Sequence, residues 1–311
     1  MTTEEINEKD CGCEGLRLTE AIHRLVQVTP EQRKTTSNGC NSPLPSVDSL
    51  RKIVSLIKDI VFPGYFDKRP AVDELRAYYI GTNVEQVVSL LKTQIACGLV
   101  YGTDRPEDEV RRQAEEMTIE FIESLPEIKR LLYTDVEAMV HNDPAVKSSG
   151  EVIFCYPLVD VMVHYRVAHC LLTMGVPVIP RIITELAHSR TGIDIHPGAQ
   201  ISDHFCIDHG TGIVIGETCI IGSHVMLYQG VTLCAKSFTY GADGVPLNVP
   251  RHPIIEDHVT IYSNTSVLGR ITIGHHSVLG GNVWQTRDVP PNSLVLQSRA
   301  VSSIFTDGAG I

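Results

Sequence analysis

Positive charge is scarce in this chain: 26 Lys and Arg face 37 Asp and Glu, for a formal net charge of −11 with histidine neutral. A surface of that sign repels a phosphate backbone, and no basic stripe interleaved with aromatics runs along the sequence, so nucleic acid is not an expected partner. Long apolar runs are missing too, none approaching the roughly 18 residues that a membrane-spanning helix needs. The opening residues, MTTEEINEKDCGCEG, lack both the basic start and the apolar stretch of a secretory signal. A cytoplasmic protein with no membrane partner is expected. The nine cysteines (11, 13, 40, 97, 155, 170, 206, 219 and 234) are an odd number scattered through apolar segments, which points to reduced thiols rather than a disulfide framework. Cys11 and Cys13 are the only close pair, and they read as chance neighbours in a tail.

What is present is an ordinary globular composition, 43% hydrophobic and 20% charged with a mean hydropathy of +0.03. At 311 residues the chain has room for two domains, each with its own core. From 46 to 190 the apolar spacing is helical. Leu50, Ile53, Val54, Ile57 and Val61 form one stripe, with Ser46 as N-cap and Pro63-Gly64 as the stop. Val84, Val87, Val88, Leu91 and Ile95 form a second, behind Asn83 and Gln86 spaced as in a capping box. A third runs through Val110, Ala114, Met117, Phe121 and Leu125 and is expected to end at Pro126, and 157–188 predicts one or two further helices.

Past residue 190 the helical stripe gives way to an aliphatic residue every six: Ile195, Ile201, Ile207, Ile213, Cys219, Val225 and Val231, then Ile255, Ile261, Val267, Ile273 and Leu279. A strict six-residue period belongs to neither helix nor hairpin. It is the hexapeptide repeat of a parallel β-helix, in which three hexads close one triangular coil and each face sends one aliphatic side chain to a narrow axis. Sandwich strands would alternate with period two. Residues 234–250 break the pattern and read as a loop extruded from the coil, suited to a subunit interface or to covering a ligand.

The hexads are rich in histidine, and two stand out. His209 follows Asp208 and precedes Gly210-Thr211-Gly212, a tight corner beside a carboxylate. His252 lies between Arg251 and Pro253, where the loop rejoins the coil. Transfer of an acyl group to a hydroxyl needs a base near neutral pKa, a cation for a substrate carboxylate and donors for the oxyanion. These residues supply most of those parts.

The runs GIDIHPGAQIS, IDHGTGIVIGET, QGVTL, RHPIIEDHV and VLGRITIGHHSVLGG, in that order, resemble the catalytic domain of the serine acetyltransferases across about residues 140–292. The resemblance implies an α+β fold class: an N-terminal all-α helical domain followed by a C-terminal left-handed parallel β-helix. It implies acetyl transfer from acetyl-CoA to the hydroxyl of L-serine, with no metal. His209 would be the general base and Asp194 its orienting partner, although Asp208 is an alternative, and His252 is counted with them as catalytic. Asp143, Asp208, Arg251 and His252 would hold serine, with Arg251 facing its carboxylate and Asp143 its ammonium. Ser263, Gly280 and Gly281 map loosely onto main-chain contacts to CoA. Family members associate as trimers or dimers of trimers, and many end in an isoleucine that enters O-acetylserine sulfhydrylase, which would be Ile311 here. Feedback inhibition by cysteine is a further family property. The chain departs from the family in its long loop, in Pro250 before Arg251, and in Leu296-Gln297-Ser298-Arg299-Ala300 after the coil.

The expected organisation is a partly disordered tail over 1–45, a helical domain over 46–190, the catalytic coil over 191–292 with its loop at 234–250, and a C-terminal tail over 293–311. Two other enzymes and one non-enzyme compete with this reading. A sugar acetyltransferase has no need of Arg251 or Asp143. A zinc enzyme of the γ carbonic anhydrase type would use the His204 and His209 spacing. A structural trimer with a degenerate site would not bind CoA.

Overall fold

A computed structural model describes residues 15, 17–27, 29, 44–66, 73–101, 103 and 105–298. Cys11, Cys13, Cys40 and Ile311 lie outside the described residues. Within the segment expected to be a tail, residues 17–26 are helical and exposed.

Among the described residues six helices follow: α1 (Val47–Val61), α2 (Asp73–Val100), α3 (Glu107–Asn142), α4 (Ser149–Cys155), α5 (Pro157–Thr173) and α6 (Ile179–Thr191). Helix α1 matches the sequence reading at both ends: Ser46 accepts a hydrogen bond from the Ser49 amide, and Phe62 closes the last turn. Two expectations fail. Asn83 is no cap; it is buried in the middle of α2, ten residues past its start. Pro126 does not end α3, which runs on to Asn142. Proline inside a helix removes one hydrogen bond and costs about 3 kcal/mol. Here Phe121 and Leu125 before it, and Ile128, Leu132, Val136 and Met139 after it, are all buried. Several such side chains, at about 1.5–3 kcal/mol each, outweigh the break, and the Ser124 hydroxyl donates to the Phe121 carbonyl at 2.6 Å.

Among the described residues fourteen short strands, β1 (Asp194–Ile195) to β14 (Leu294–Val295), wind into a coil. All pair in parallel on three faces: β1-β4-β7-β10-β13 on the first, β2-β5-β8-β11 on the second and β3-β6-β9-β12-β14 on the third. This is the expected left-handed parallel β-helix behind an all-α domain.

The six-residue count hides a slip of phase. Val214 pairs with Thr232, eighteen residues on, but Asp194 pairs with Val214, twenty residues on. The two extra residues fall at the His209 corner. Before it Ile195, Ile201 and Ile207 point inward from strands; after it the inward strand residues are Ile215, Ile221, Leu227 and Leu233. Ile213, Cys219, Val225 and Val231 occupy the position just before each strand, which is equally buried. Both inward positions take aliphatics, so the count crossed from one to the other unnoticed. The 234–250 loop leaves the coil after β7 (Thr232–Cys234) and returns before β8 (Ile254–Ile255), at the corner between the first and second faces.

The helices dock on the first coil through buried polar contacts. The Tyr165 hydroxyl donates to the Ala199 carbonyl at 2.6 Å and accepts from the Ile201 amide at 3.1 Å. Arg166 reaches the Ser202 carbonyl at 3.0 Å and pairs with Asp135, which also accepts from the Phe205 amide at 3.1 Å. This docking carries the end of α3 to the corner that holds His209.

Candidate active site

The corner between the third and first faces is built from β3 (Cys206–Asp208) and the turn after it. His209 adopts φ +57°, in the left-handed region, and Gly210 follows at +85°. At Gly210 an added Cβ would strike the Ile193 side chain, so only glycine fits there. This backbone turns the imidazole outward: its side chain is 70% exposed, with Nδ1 at 3.7 Å from Asp208 Oδ1. Asp143, the C-cap of α3, lies within electrostatic reach of His209. Its Oδ1 accepts from the Ala145 amide at 2.8 Å and its Oδ2 from the Tyr156 hydroxyl at 2.7 Å. Those donors hold the Asp143 carboxyl below its ordinary range, Tyr156 most of all. The reciprocal effect, with burial and the Asp208 charge, pushes the Tyr156 phenol up to about 12.

The corner between the first and second faces carries the second group. Arg251 Nη2 pairs with Glu217 Oε2 at 2.6 Å, and its Nη1 donates to Asn248 Oδ1 of the loop at 3.1 Å. His252 is 7% exposed. Its Nδ1 accepts from the Thr218 amide at 3.0 Å, so the neutral ring carries its proton on Nε2. The Thr218 hydroxyl accepts from the amides of Arg251 and His252 at 2.9 and 3.1 Å, locking both residues to the coil. A Cβ on Gly216 would strike the His252 ring. Burial, then the Arg251 charge, lowers the His252 pKa to about 4. His252 is thus a neutral donor.

Asp194 lies on the first face, where Arg181 Nη1 is 3.3 Å from its Oδ1, and it acts on His196 alongside Glu217 and Arg251. The His209 corner stacks on the same part of the coil: the Gly212 amide donates to the Gly192 carbonyl at 2.8 Å. Within one chain the nearer carboxylate partner of His209 is Asp208. Three hexads predict a coil of eighteen residues; this one has twenty.

Ser263 and Gly281 meet on successive coils of the third-to-first corner, where the Asn282 amide donates to the Ser263 carbonyl at 2.9 Å. Gly280 is tied in by Thr265, whose hydroxyl donates to its carbonyl at 2.7 Å. One coil nearer the helices, Asn264 stacks on Gln229 and Gly230 on Thr211. The three residues therefore stand on the edge that leads down to His209. Beside it on the third face, Tyr228 pairs in register with Asp208 and stacks on Tyr262, centroids 4.8 Å apart.

Of the residues read from sequence, the structure gathers Asp143, Asp208 and His209 at one corner and Arg251 and His252 at the next, with Asp194 on the face between. It does not join His204 to His209: they lie at opposite ends of β3, and His204 stacks on His224 at 4.2 Å. Among the described residues no three His, Cys, Asp or Glu gather as metal ligands. Tyr156, Glu217 and Thr218 had no assigned role in the sequence reading. Glu217-Thr218 sat inside the G-E-T run and were readable from it; Tyr156 carried no short-range signal.

A helical platform, a hexapeptide coil and an exposed histidine set among carboxylates define an acyltransferase of the hexapeptide class. No family model matches the chain. A plasmid-borne serine acetyltransferase of Synechococcus elongatus is 46% identical over 276 residues, 86% of each chain. Among solved structures, serine acetyltransferase isoform 3 of Entamoeba histolytica, in complex with cysteine, superposes with a TM-score of 0.70 at 34% identity, covering 82% of this chain and 84% of that one. Serine acetyltransferase 1 of the same organism, in complex with L-cysteine, gives 0.69 at 36% identity over 78% and 86%. The chain belongs to the serine acetyltransferase family, and its activity is O-acetylation of serine in cysteine biosynthesis.

Proposed function

We propose that this enzyme acetylates L-serine by direct transfer from acetyl-CoA, with His209 as general base. The observation that carries the assignment is the His209 corner, where a left-handed backbone presents an exposed imidazole beside Asp208 and Asp143. His209 takes the hydroxyl proton as the serine oxygen attacks the thioester carbonyl. The tetrahedral intermediate then collapses, the C–S bond breaks, and the departing thiolate recovers the proton. No acyl-enzyme forms. Asp208 orients His209 within the chain, and Asp194 joins it in the assembled site.

Asp143 takes the serine ammonium, Arg251 the carboxylate and His252 donates through Nε2. Acetyl-CoA lies along the edge of Ser263, Gly280 and Gly281, above His209. The two corners stand at opposite edges of the first face, and each holds only part of this set, which supports a trimer, or a dimer of trimers, in which the corner of one copy meets the other corner of the next. Cysteine, the ligand in the Entamoeba complexes, differs from serine by one atom and competes for the same place. The proposal includes O-acetylserine sulfhydrylase as a partner through Ile311, after the family. It also includes a cytoplasmic location, supported by the free thiols of Cys97, Cys155, Cys170, Cys206, Cys219 and Cys234. No helix among the described residues is long and apolar enough to cross a membrane.

Release of CoA thiol from acetyl-CoA is the test, with L-serine, homoserine and a panel of sugars as acceptors. Serine-dependent release supports the assignment, and release with a sugar alone overturns the acceptor.

A further inference from the structure

Asp143 is a short side chain at the C-cap of α3, just past its last residue, where nothing in its own helix fixes its rotamer. What fixes it comes from elsewhere. The Ala145 amide binds Oδ1 as an Asx turn, and the Tyr156 hydroxyl binds Oδ2 at 2.7 Å from the junction of α4 and α5. Tyr156 is itself held: its amide donates to the Val152 carbonyl at 3.1 Å, its backbone is extended ahead of Pro157, and its ring packs against the core.

The two donors are neutral, in contrast to Asp135, whose charge Arg166 cancels. Each carboxylate oxygen accepts one hydrogen bond and keeps a lone pair. The charged and titratable groups around the Tyr156 hydroxyl are Asp143, Glu151 and Asp208, with His209 acting on Asp143 and Tyr228 beside both aspartates. The corner therefore holds an ordered, ionised carboxylate that pairs with no Lys or Arg among the described residues, which suits a substrate that brings its own positive charge.

We propose that Tyr156 is the positioning residue of the amino-acid site, its hydroxyl fixing the Asp143 carboxylate in the orientation that receives the substrate ammonium. This rests on the assignment of Asp143 made above. Tyr156 does not touch the reacting atoms, so its loss acts on serine binding and not on the chemical step.

The experiment is steady-state kinetics of Tyr156→Phe, Asp143→Asn and the double variant, with both substrates varied. Tyr156→Phe is expected to raise the serine KM roughly tenfold, the scale of one hydrogen bond to a charged group. kcat and the KM for acetyl-CoA stay within about twofold, because the lost donor acts on the serine subsite and not on the reacting atoms. Asp143→Asn raises the serine KM further, and adding Tyr156→Phe to it changes nothing more. If Asp143→Asn raises the serine KM and Tyr156→Phe does not, the positioning role is overturned while the serine site stands. If neither moves it, the assignment of Asp143 fails. If Tyr156→Phe weakens both substrates equally, or lowers kcat as much as it raises the serine KM, Tyr156 is a structural residue and the proposal is wrong.

Discussion

Arg166 and Asp135 form a two-pronged ion pair, Nε to Oδ2 and Nη2 to Oδ1 both at 2.8 Å, with each side chain at most 4% exposed. The pair lies where α5 and α3 meet the first coil, and both partners also bind coil backbone, at Ser202 and Phe205. It couples the helix that ends in Asp143 to the corner that carries His209.

Breaking that pair leaves a buried charge without a partner, which costs about 3–5 kcal/mol. Asp135→Ala is expected to lose that much stability by urea denaturation. Replacing both residues with apolar ones of similar volume is expected to recover a large part of it.

Stability is expected to fall as pH falls, in two stages. His252 has its folded pKa near 4, and His164, His196 and His224 are also lowered, by burial first in each case. The unfolded chain binds protons on these rings that the folded chain refuses, so their contribution is complete above the ordinary histidine value of about 6.5 and is lost as pH drops below it. For His252 that loss is roughly 3 kcal/mol by the time pH reaches its folded value. Asp143, Asp160, Asp203 and Glu217 have lowered folded values, so their contribution is present above the unfolded carboxylate range and disappears below about 4. Thermal unfolding from pH 8 to 3 should show Tm declining below 6.5 and more steeply below 4, and His252→Gln should flatten the first decline.

Gly216→Ala is a probe of His252 placement. The added methyl meets the imidazole, so the ring must shift. kcat/KM for serine should fall at least about tenfold, the effect of one misplaced binding group, with the circular dichroism spectrum retained.

Cys206 and Cys219 are buried in the coil, and burial pushes each thiol up to about 12. Neither forms a thiolate at neutral pH. Cys219→Val should keep kcat within about threefold, as expected of a near volume-conserving core change, and mass spectrometry during turnover should show no acetylated cysteine.

Much of this was readable in the sequence, for physical reasons. The narrow interior of a triangular coil forces an aliphatic residue at fixed spacing, so the β-helix was legible from Ile195 to Leu279. The phase slip at His209 was not, because the two inward positions of a hexad accept the same side chains. Ser46 was legible as a cap because its hydroxyl acts three residues away. Pro126 misled because burial on both sides of it overrides a local signal. His209 and His252 stood out by their neighbours in sequence, Asp208 and Arg251. Tyr156 did not, because its partner Asp143 is thirteen residues away across a helix. The pairing of Asp194 with Arg181 depends likewise on how α6 lies on the coil.

The measurement that bears most directly on the account is kcat for serine-dependent CoA release by His209→Ala, with folding checked by the Tm. General-base catalysis contributes about 10²–10⁴-fold, so a loss of that size with an unchanged Tm and an unchanged KM for acetyl-CoA is predicted. A variant that turns over within a few fold of the parent would contradict the assignment of His209 as the base.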